Sequence, residues 1–341
     1  MDLERLIARK DDHIDIALQQ TTQPALSNSF DAIQFEHCAL PELALDHVDL
    51  RSSMFGRTLN APLLISSMTG GPRRAERINR HLTEAAEELG IALAVGSQRV
   101  ALETTNTFGL DRVMRRYAPS IPLLANLGAA QLVQGYGAEE AQRAVDMIEA
   151  DALIIHLNPL QEAVQPEGDR DWRNVLHAIE WLVIQLPVPV VIKEVGYGLS
   201  VPVIKRLRNA GVSIIDIAGA GGTRWTEIEA HRARTPQQRA IAMAFSQWGI
   251  PTAQALHEAH QAFPDLPLIA SGGIRDGIDA ATALRLGAQW VGQAGATLES
   301  ALTSTEAVVD HCKVLIEQLR IAGFCTGSAD LQELRRARLR G

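Results

Sequence analysis

Eight times along its 341 residues the chain repeats one unit: a short, nearly continuous apolar run, a turn of small or polar residues, then a stretch of helical length. The expected strands are Pro62 to Ser66, Ile91 to Val95, Pro122 to Ala125, Ala152 to Leu157, Pro189 to Lys193, Ile214 to Ala218, Pro267 to Ala270 and Trp290 to Gly292. Unbroken apolar runs suit parallel strands buried on both faces, whereas a half-exposed strand would alternate. Between them Ala75 to Leu89, Glu139 to Glu149, Trp172 to Gln185, Val201 to Ala210 and Ile278 to Leu286 read as amphipathic helices. Gly90, Gly211 and Gly287 stand where left-handed caps would end three of these. Such an unbroken βα series predicts an α/β fold of the TIM (β/α)8 barrel type. A doubly wound open sheet would need a Gly-x-Gly-x-x-Gly turn after its first strand, and the chain has Met68-Thr69-Gly70-Gly71-Pro72 there.

Positions 1–58 carry a weaker pattern and are expected to form an N-terminal extension that covers one mouth of a single barrel domain at 59–341. Within the extension, Met1 to Gln20 reads as a helix, and Ile33 to Glu36 with His47 to Leu50 as a hairpin. The sixth unit is oversized, with positions 219–266 before the next strand, which suits a lid or functional loop.

Composition narrows the partners. A chain that is 46% hydrophobic but only 4% aromatic has ample material for an aliphatic core. A net charge of −8 argues against a nucleic-acid partner, which would call for a basic stripe. The one basic cluster, Arg335, Arg336, Arg338 and Arg340, reads as a solvated helix end. Cys38, Cys312 and Cys325 lack metal-ligand spacing and read as reduced thiols of a cytoplasmic protein. The start, MDLERLIARKDDH, is charged from residue 2 and has no apolar signal core; no apolar run nears the roughly 20 residues of a membrane span.

Active sites of barrels lie just past the C-terminal ends of the strands. Those positions gather Ser67, Met68 and Thr69; Gly96 to Arg99; Asn126; His156 to Glu162; Lys193 and Glu194; Gly219 to Thr223; Ser271 to Arg275; and Gln293 to Ala296. SGGIRDG and GQAG follow the seventh and eighth runs, where barrels commonly bind phosphate through backbone N–H groups and a helix start. That pair identifies a ligand group but no reaction. Lys193 closes the apolar run PVPVVIK, and its charge needs an anionic partner, which a reduced flavin ring or a Schiff base would each explain. His156 alone fits a satisfied core histidine as well as a site group. Gln161 and Glu162 read as loop residues after Pro159, and a carboxylate at a barrel mouth suits Mg²⁺ joined to substrate phosphate. Arg9, Lys10 and His13 beside Asp11 and Asp12 read, on residue type alone, as a solvated helix face.

Taken together, RKDDH (9–13), SSMTGG (66–71), GSQR (96–99), NLGA (126–129), HLNPLQE (156–162), KEVGYG (193–198), GAGGTRW (219–225) and SGGIRDG (271–277) resemble the type 2 isopentenyl diphosphate isomerases, FMN enzymes on a barrel. The resemblance covers essentially the whole chain. RKxxH, GSQR and HLNPLQE are specific to that family, whereas SGGIR and KEVG are shared by other flavin barrels. By this resemblance FMN is held by Ser67, Met68, Thr69, Ser97, Asn126, Lys193, Thr223, Gly273, Ile274, Arg275, Ala294 and Gly295. Isopentenyl diphosphate is met by Arg9, Lys10, His13, Ser97, Gln98, Arg99, His156, Asn158 and Gln161, with Glu162 on Mg²⁺. Gln161, His156 and Lys193 carry the catalysis. The resemblance also implies reduced FMN as the acid-base group, NADPH only as its reductant, and a homo-tetramer or homo-octamer.

The chemistry agrees with that reading. The reacting alkene offers no charge, so binding energy must come from the remote diphosphate. Three rivals fit less well. A 2-hydroxy-acid oxidase on an FMN barrel would place a His and a nearby Arg after a late strand, but the sixth run leads into Gly-Ala-Gly-Gly-Thr. A barrel like IMP dehydrogenase needs a nucleophilic loop cysteine, and no cysteine stands at a strand end. A non-catalytic flavin- or phosphate-binding barrel would have no need of His156, Gln161 and Glu162 beside a lysine.

Overall fold

A computed structural model describes residues 10–18, 28–67, 74–104 and 106–340. A hairpin of β1 (Ser52–Met54) and β2 (Arg57–Leu59) precedes the barrel. The barrel strands are β3 (Leu63–Ile65), β4 (Ala92–Ala94), β5 (Leu123–Gly128), β6 (Ala152–Leu157), β7 (Val190–Glu194), β8 (Ile214–Asp216), β9 (Leu268–Ala270) and β10 (Trp290–Gln293). They pair in parallel and in sequence order, and β10 closes on β3. Each expected strand is there. The expected helices are found as Ala75–Leu89, Ala138–Ile148, Val175–Gln185, Val201–Asn209 and Gly277–Arg285. Gly90 ends the first of these in the left-handed region at φ 64°, its N–H returned to the carbonyls of Ala86 and Glu87.

Period-two alternation divides every strand between two cores. Leu63, Leu93, Leu123, Leu153, Ile192, Ile215, Leu268 and Val291 face outward and join the helices in the larger apolar cluster. Leu64, Ala92, Ala94, Leu124, Ala152, Ile154, Val191, Ile214, Ile269 and Trp290 face inward and fill the barrel. The hairpin belongs to this inner cluster. Met54 and Leu59, 1% and 0% exposed, pack with the strand starts Ala92, Ala152 and Trp290, so β1 and β2 plug the N-terminal end. Burying two such side chains contributes about 1.5–3 kcal/mol each.

The hairpin expected from Ile33 to Glu36 and His47 to Leu50 does not form. Phe35 instead bridges Leu339, and Asp49 bridges Asp330. The hairpin that does form turns at Phe55 and Gly56, with φ 50° and 76°, a tight turn whose positive φ a phenylalanine hides. The chain ends are joined further where Glu36 N–H donates to Arg338 O, Arg340 N–H to Gln34 O and Cys38 N–H to Cys325 O. Of the basic cluster, Arg336, Arg338 and Arg340 are exposed, as a solvated end requires. Arg335 is half-buried and reaches the carbonyls of Ala288 and Gln289.

Residues 10–18 are helical, within the expected first helix, whose remainder lies outside the described residues. The oversized sixth unit carries helices Trp225–Arg232, Pro236–Met243 and Thr252–Ala262. A bridge from Ala220 to Pro251 returns it to the barrel. No helix among the described residues is long and apolar enough to cross a membrane.

Candidate active site

Continuing the inward alternation two residues past each aliphatic layer defines the site. Leu64 is followed by Ser66, Ala94 by Gly96, Leu124 by Asn126, Ile154 by His156, Val191 by Lys193, Ile214 by Asp216, Ile269 by Ser271 and Trp290 by Gly292. One step of the same geometry turns an apolar plug into a polar floor at the C-terminal mouth. Asn126, Lys193, Asp216 and Ser271 are all buried. Gly292 admits this closure because a Cβ there would stand 3.2 Å from both the Ser66 and Ser271 Cβ atoms.

His156 is fixed by its Nδ1, 2.8 Å from Asn126 Oδ1. Desolvation first, then the ammonium groups of Lys193 and Lys10, push its pKa down to about 3, so the imidazole is neutral at neutral pH. A neutral ring bonded through Nδ1–H leaves Nε2 as an acceptor. Lys10, on the N-terminal helix, therefore shares the mouth with Lys193, and its Nζ donates to Ser97 O at 3.3 Å. Lys193 Nζ donates to Glu194 O at 2.7 Å. Glu194 itself points away from the barrel interior and takes N–H bonds from Val195, Gly196, Tyr197 and Gly198 on one oxygen. Burial raises its carboxyl to about 7 against the pull of those donors.

A second layer comes from the helix Pro159–Val164, which holds Gln161 and Glu162, expected in a loop. Pro159 at its first position and the bond from Glu162 N–H to Asn158 O start the helix directly at the strand end. Asn158 Nδ2 donates to Gln161 Oε1 at 3.1 Å and to Glu162 Oε1 at 3.0 Å. Glu162 Oε2 accepts the Asp169 N–H at 2.8 Å. Arg99 lies between Glu103, at 3.0 Å, and Asp169, at 3.6 Å. Glu229 was missed in the sequence. Carried by the insertion and 1% exposed, it accepts from His13 at 3.0 Å and Gln161 Nε2 at 3.3 Å on one oxygen, and from Arg232 at 2.7 Å on the other. Burial alone would raise its pKa, but His13, Arg232 and Gln161 outweigh that and hold it below the usual range.

The glycine turns past β8 and β9 lie backbone to backbone. A Cβ on Gly273 would come 2.7 Å from Gly221 C, and one on Gly272 2.2 Å from Gly219 O. Gly272 and Gly273 take φ 92° and 78°, open only to glycine at little cost. The N–H groups of Gly273 and Ile274 find no acceptor among the described residues. The helix start beyond them is not free, because Asp276 caps the N–H groups of Ile278 and Asp279. The turn, rather than the helix, is what remains to hold phosphate. Arg275 is held by Asp279 at 2.8 Å and Asp31 at 2.6 Å, and Asn28 Nδ2 ties the extension to Gly273 O.

These features fit an FMN: a polar floor, an anion-binding turn, and Ser67 Oγ, buried with no partner among the described residues. A hard cation fits Glu162 together with Asn158 Oδ1, also buried and unpartnered. No cluster of three or more His, Cys, Asp or Glu that could hold a metal is found among the described residues. Of the expected site residues, Thr223, Ala294 and Gly295 lie part-exposed past β8 and β10. Gln98 is different: fully buried, it donates to Ala144 O and accepts the Asn126 N–H, so it braces β5 from behind instead of facing the mouth. Arg9, Met68 and Thr69 lie outside the described residues.

Residues 157–341 match the FMN-dependent dehydrogenase family. An isopentenyl-diphosphate delta-isomerase of Stutzerimonas stutzeri (strain A1501) is 64% identical over 99% of this chain and 98% of its own length. Those of Cronobacter sakazakii and Synechocystis sp. are 63% and 50% identical, covering 98% and 96% of this chain and 97% and 93% of their own. Among solved structures, a mandelate oxidase superposes with TM-score 0.65 at 15% identity, covering 99% of this chain and 98% of that one. Flavocytochrome b2 gives 0.66 at 17%, covering 99% and 85%. At such identities these two speak for the barrel alone. The near-full-length identity settles the family, and the chain belongs to the isopentenyl-diphosphate delta-isomerases, built on an FMN-dependent dehydrogenase domain.

Proposed function

We propose that this chain interconverts isopentenyl and dimethylallyl diphosphate by a 1,3-allylic proton shift with no net redox change. The carrying observation is His156, bonded through Nδ1 to Asn126 and kept neutral by its burial and by the ammonium groups of Lys193 and Lys10. Lys10, with Arg9 before it and His13, Ser97 and Arg99 beside it, grips the diphosphate. Glu162 and Asn158 would hold Mg²⁺, which would offset the charge of the diphosphate. Gln161 is oriented at both ends, by Asn158 and Glu229, so its amide meets the isoprenyl part in one pose. His156 Nε2 would accept a donor from a bound ligand. Ile14, 0% exposed, and Ala17, 2%, seat the N-terminal helix and keep water out. When bound and reduced by NADPH, FMN supplies the acid-base chemistry over the carbon skeleton. Gly273, Ile274 and Arg275, together with Ala294, Gly295 and Thr223, would hold the FMN phosphate. Exposed Ile241, Met243 and Trp248 on the insertion support assembly into a homo-tetramer or homo-octamer, and the protein works in the cytoplasm.

The test is turnover with FMN and Mg²⁺, with and without NADPH. Product formation that needs NADPH but consumes far less than one equivalent per product is expected. Equal rates without any reductant, or stoichiometric oxidation of NADPH, would overturn the reading. In a Mg²⁺ titration Glu162→Gln should shift the midpoint and Gln161→Ala should not; the reverse would exchange their roles.

A further inference from the structure

The polar floor holds one acid. Asp216 closes β8 at 0% exposure, and it is the register partner of Lys193 on β7. Adjacent positions in a parallel pair put both side chains on the same face, here the barrel interior. The other floor positions are Ser66, Gly96, Asn126, a neutral His156, Ser271 and Gly292, none of which bears negative charge. Ser271 Oγ donates to Asp216 Oδ1 at 2.6 Å, while Oδ2 has no hydrogen-bond partner among the described residues. No ion pair closes between the two side chains, because Lys193 Nζ is turned to the Glu194 carbonyl. The two side chains therefore act on each other through space.

A buried ammonium with no counter-charge would be costly, and a carboxylate buried alone would take up a proton. Lys193 favours the ionised Asp216 carboxylate against a burial that raises that carboxyl above its usual range. We propose that Asp216 is a positioning residue that supplies the counter-charge to Lys193 in the floor of the site, and so limits how strongly that lysine favours negative charge on the cofactor ring. This rests on the placement of FMN over Lys193. Cation and anion then act in opposition on the flavin: Lys193 makes it easier to reduce and Asp216 makes it harder.

The experiment is a reductive titration of the FMN-loaded protein against a reference dye. Asp216→Asn keeps the shape and can still accept from Ser271, yet removes the charge. It should raise the ratio of reduced to oxidised flavin at a fixed potential about tenfold, which is about 30 mV for two electrons. Lys193→Met should lower the ratio, and adding Asp216→Asn to Lys193→Met should change it by less than twofold, since a carboxyl without its lysine takes up a proton. If Asp216→Asn fails to fold or to retain FMN, Asp216→Ser is read by the same criteria. A shift with Lys193→Met but none with either Asp216 variant would overturn the proposal alone. No shift with any of them would overturn the placement of the flavin over Lys193.

Discussion

The two ends of this barrel use the same strands and the same inward alternation, yet they end in opposite chemistry. At the N-terminal end Met54 and Leu59 of the hairpin close an aliphatic plug against Ala92, Ala152 and Trp290. At the C-terminal end six of the eight next inward positions are polar, Ser66, Asn126, His156, Lys193, Asp216 and Ser271, and all of these but His156 are buried by exposed area. A shift of two residues along a strand separates a position chosen for packing from one chosen for chemistry. Substitutions at the plug should therefore read out as stability with catalysis intact, and substitutions at the mouth as catalysis with stability nearly intact.

Gln161→Ala should give the largest effect, lowering kcat by about 10²–10⁴ with little change in melting temperature. An equal fall in stability would place Gln161 with the plug. Leu59→Ala should cost about 2–5 kcal/mol in denaturant unfolding, as for any buried leucine whose cavity cannot collapse, while the folded fraction keeps its kcat. A changed kcat would mean that the two ends are coupled. Lys10→Ala should raise KM for isopentenyl diphosphate about 10- to 100-fold, the loss of one charged contact of roughly 1.5–3 kcal/mol, and leave FMN retention unchanged. Loss of FMN in parallel would show that the N-terminal helix supports the barrel.

The smallest effect concerns pH. Glu229 has a lowered pKa when folded, so its contribution to stability is full above its unfolded value, roughly 4.3, and is lost as pH falls through the folded value. Glu229→Gln should flatten the acid limb of the unfolding profile below about pH 4.3. An unchanged acid limb would remove His13 and Arg232 as its partners.

Strands were legible because buried parallel runs are continuous and glycine marks their helices. Sites were legible only where residue type and strand end coincided, as at Asn126, His156 and Lys193. Asp216 was passed over because it lies two residues short of the glycine turn that marks the end of its run, although the inward count places it level with Lys193. Glu229 reaches Gln161 across 68 positions, a pairing no local pattern announces. Gln98 misled for the opposite reason, since a glutamine past a strand end can equally satisfy a neighbouring backbone. The missed hairpin turns on Phe55, a residue type that rarely takes φ 50°.

The same barrel fold is shared with mandelate oxidase and flavocytochrome b2, so the barrel itself does not choose the reaction. In this chain the N-terminal helix brings Lys10 and His13 to the mouth, and the insertion brings Glu229.

The pairing of residues 34–38 with 325–340 orders events during synthesis. Every barrel strand is made before the segment that bridges Phe35, so the stretch leading from the N-terminal helix must wait unpaired while the rest of the chain emerges. The segment that follows the N-terminal helix is thus fastened only after every barrel strand has been made.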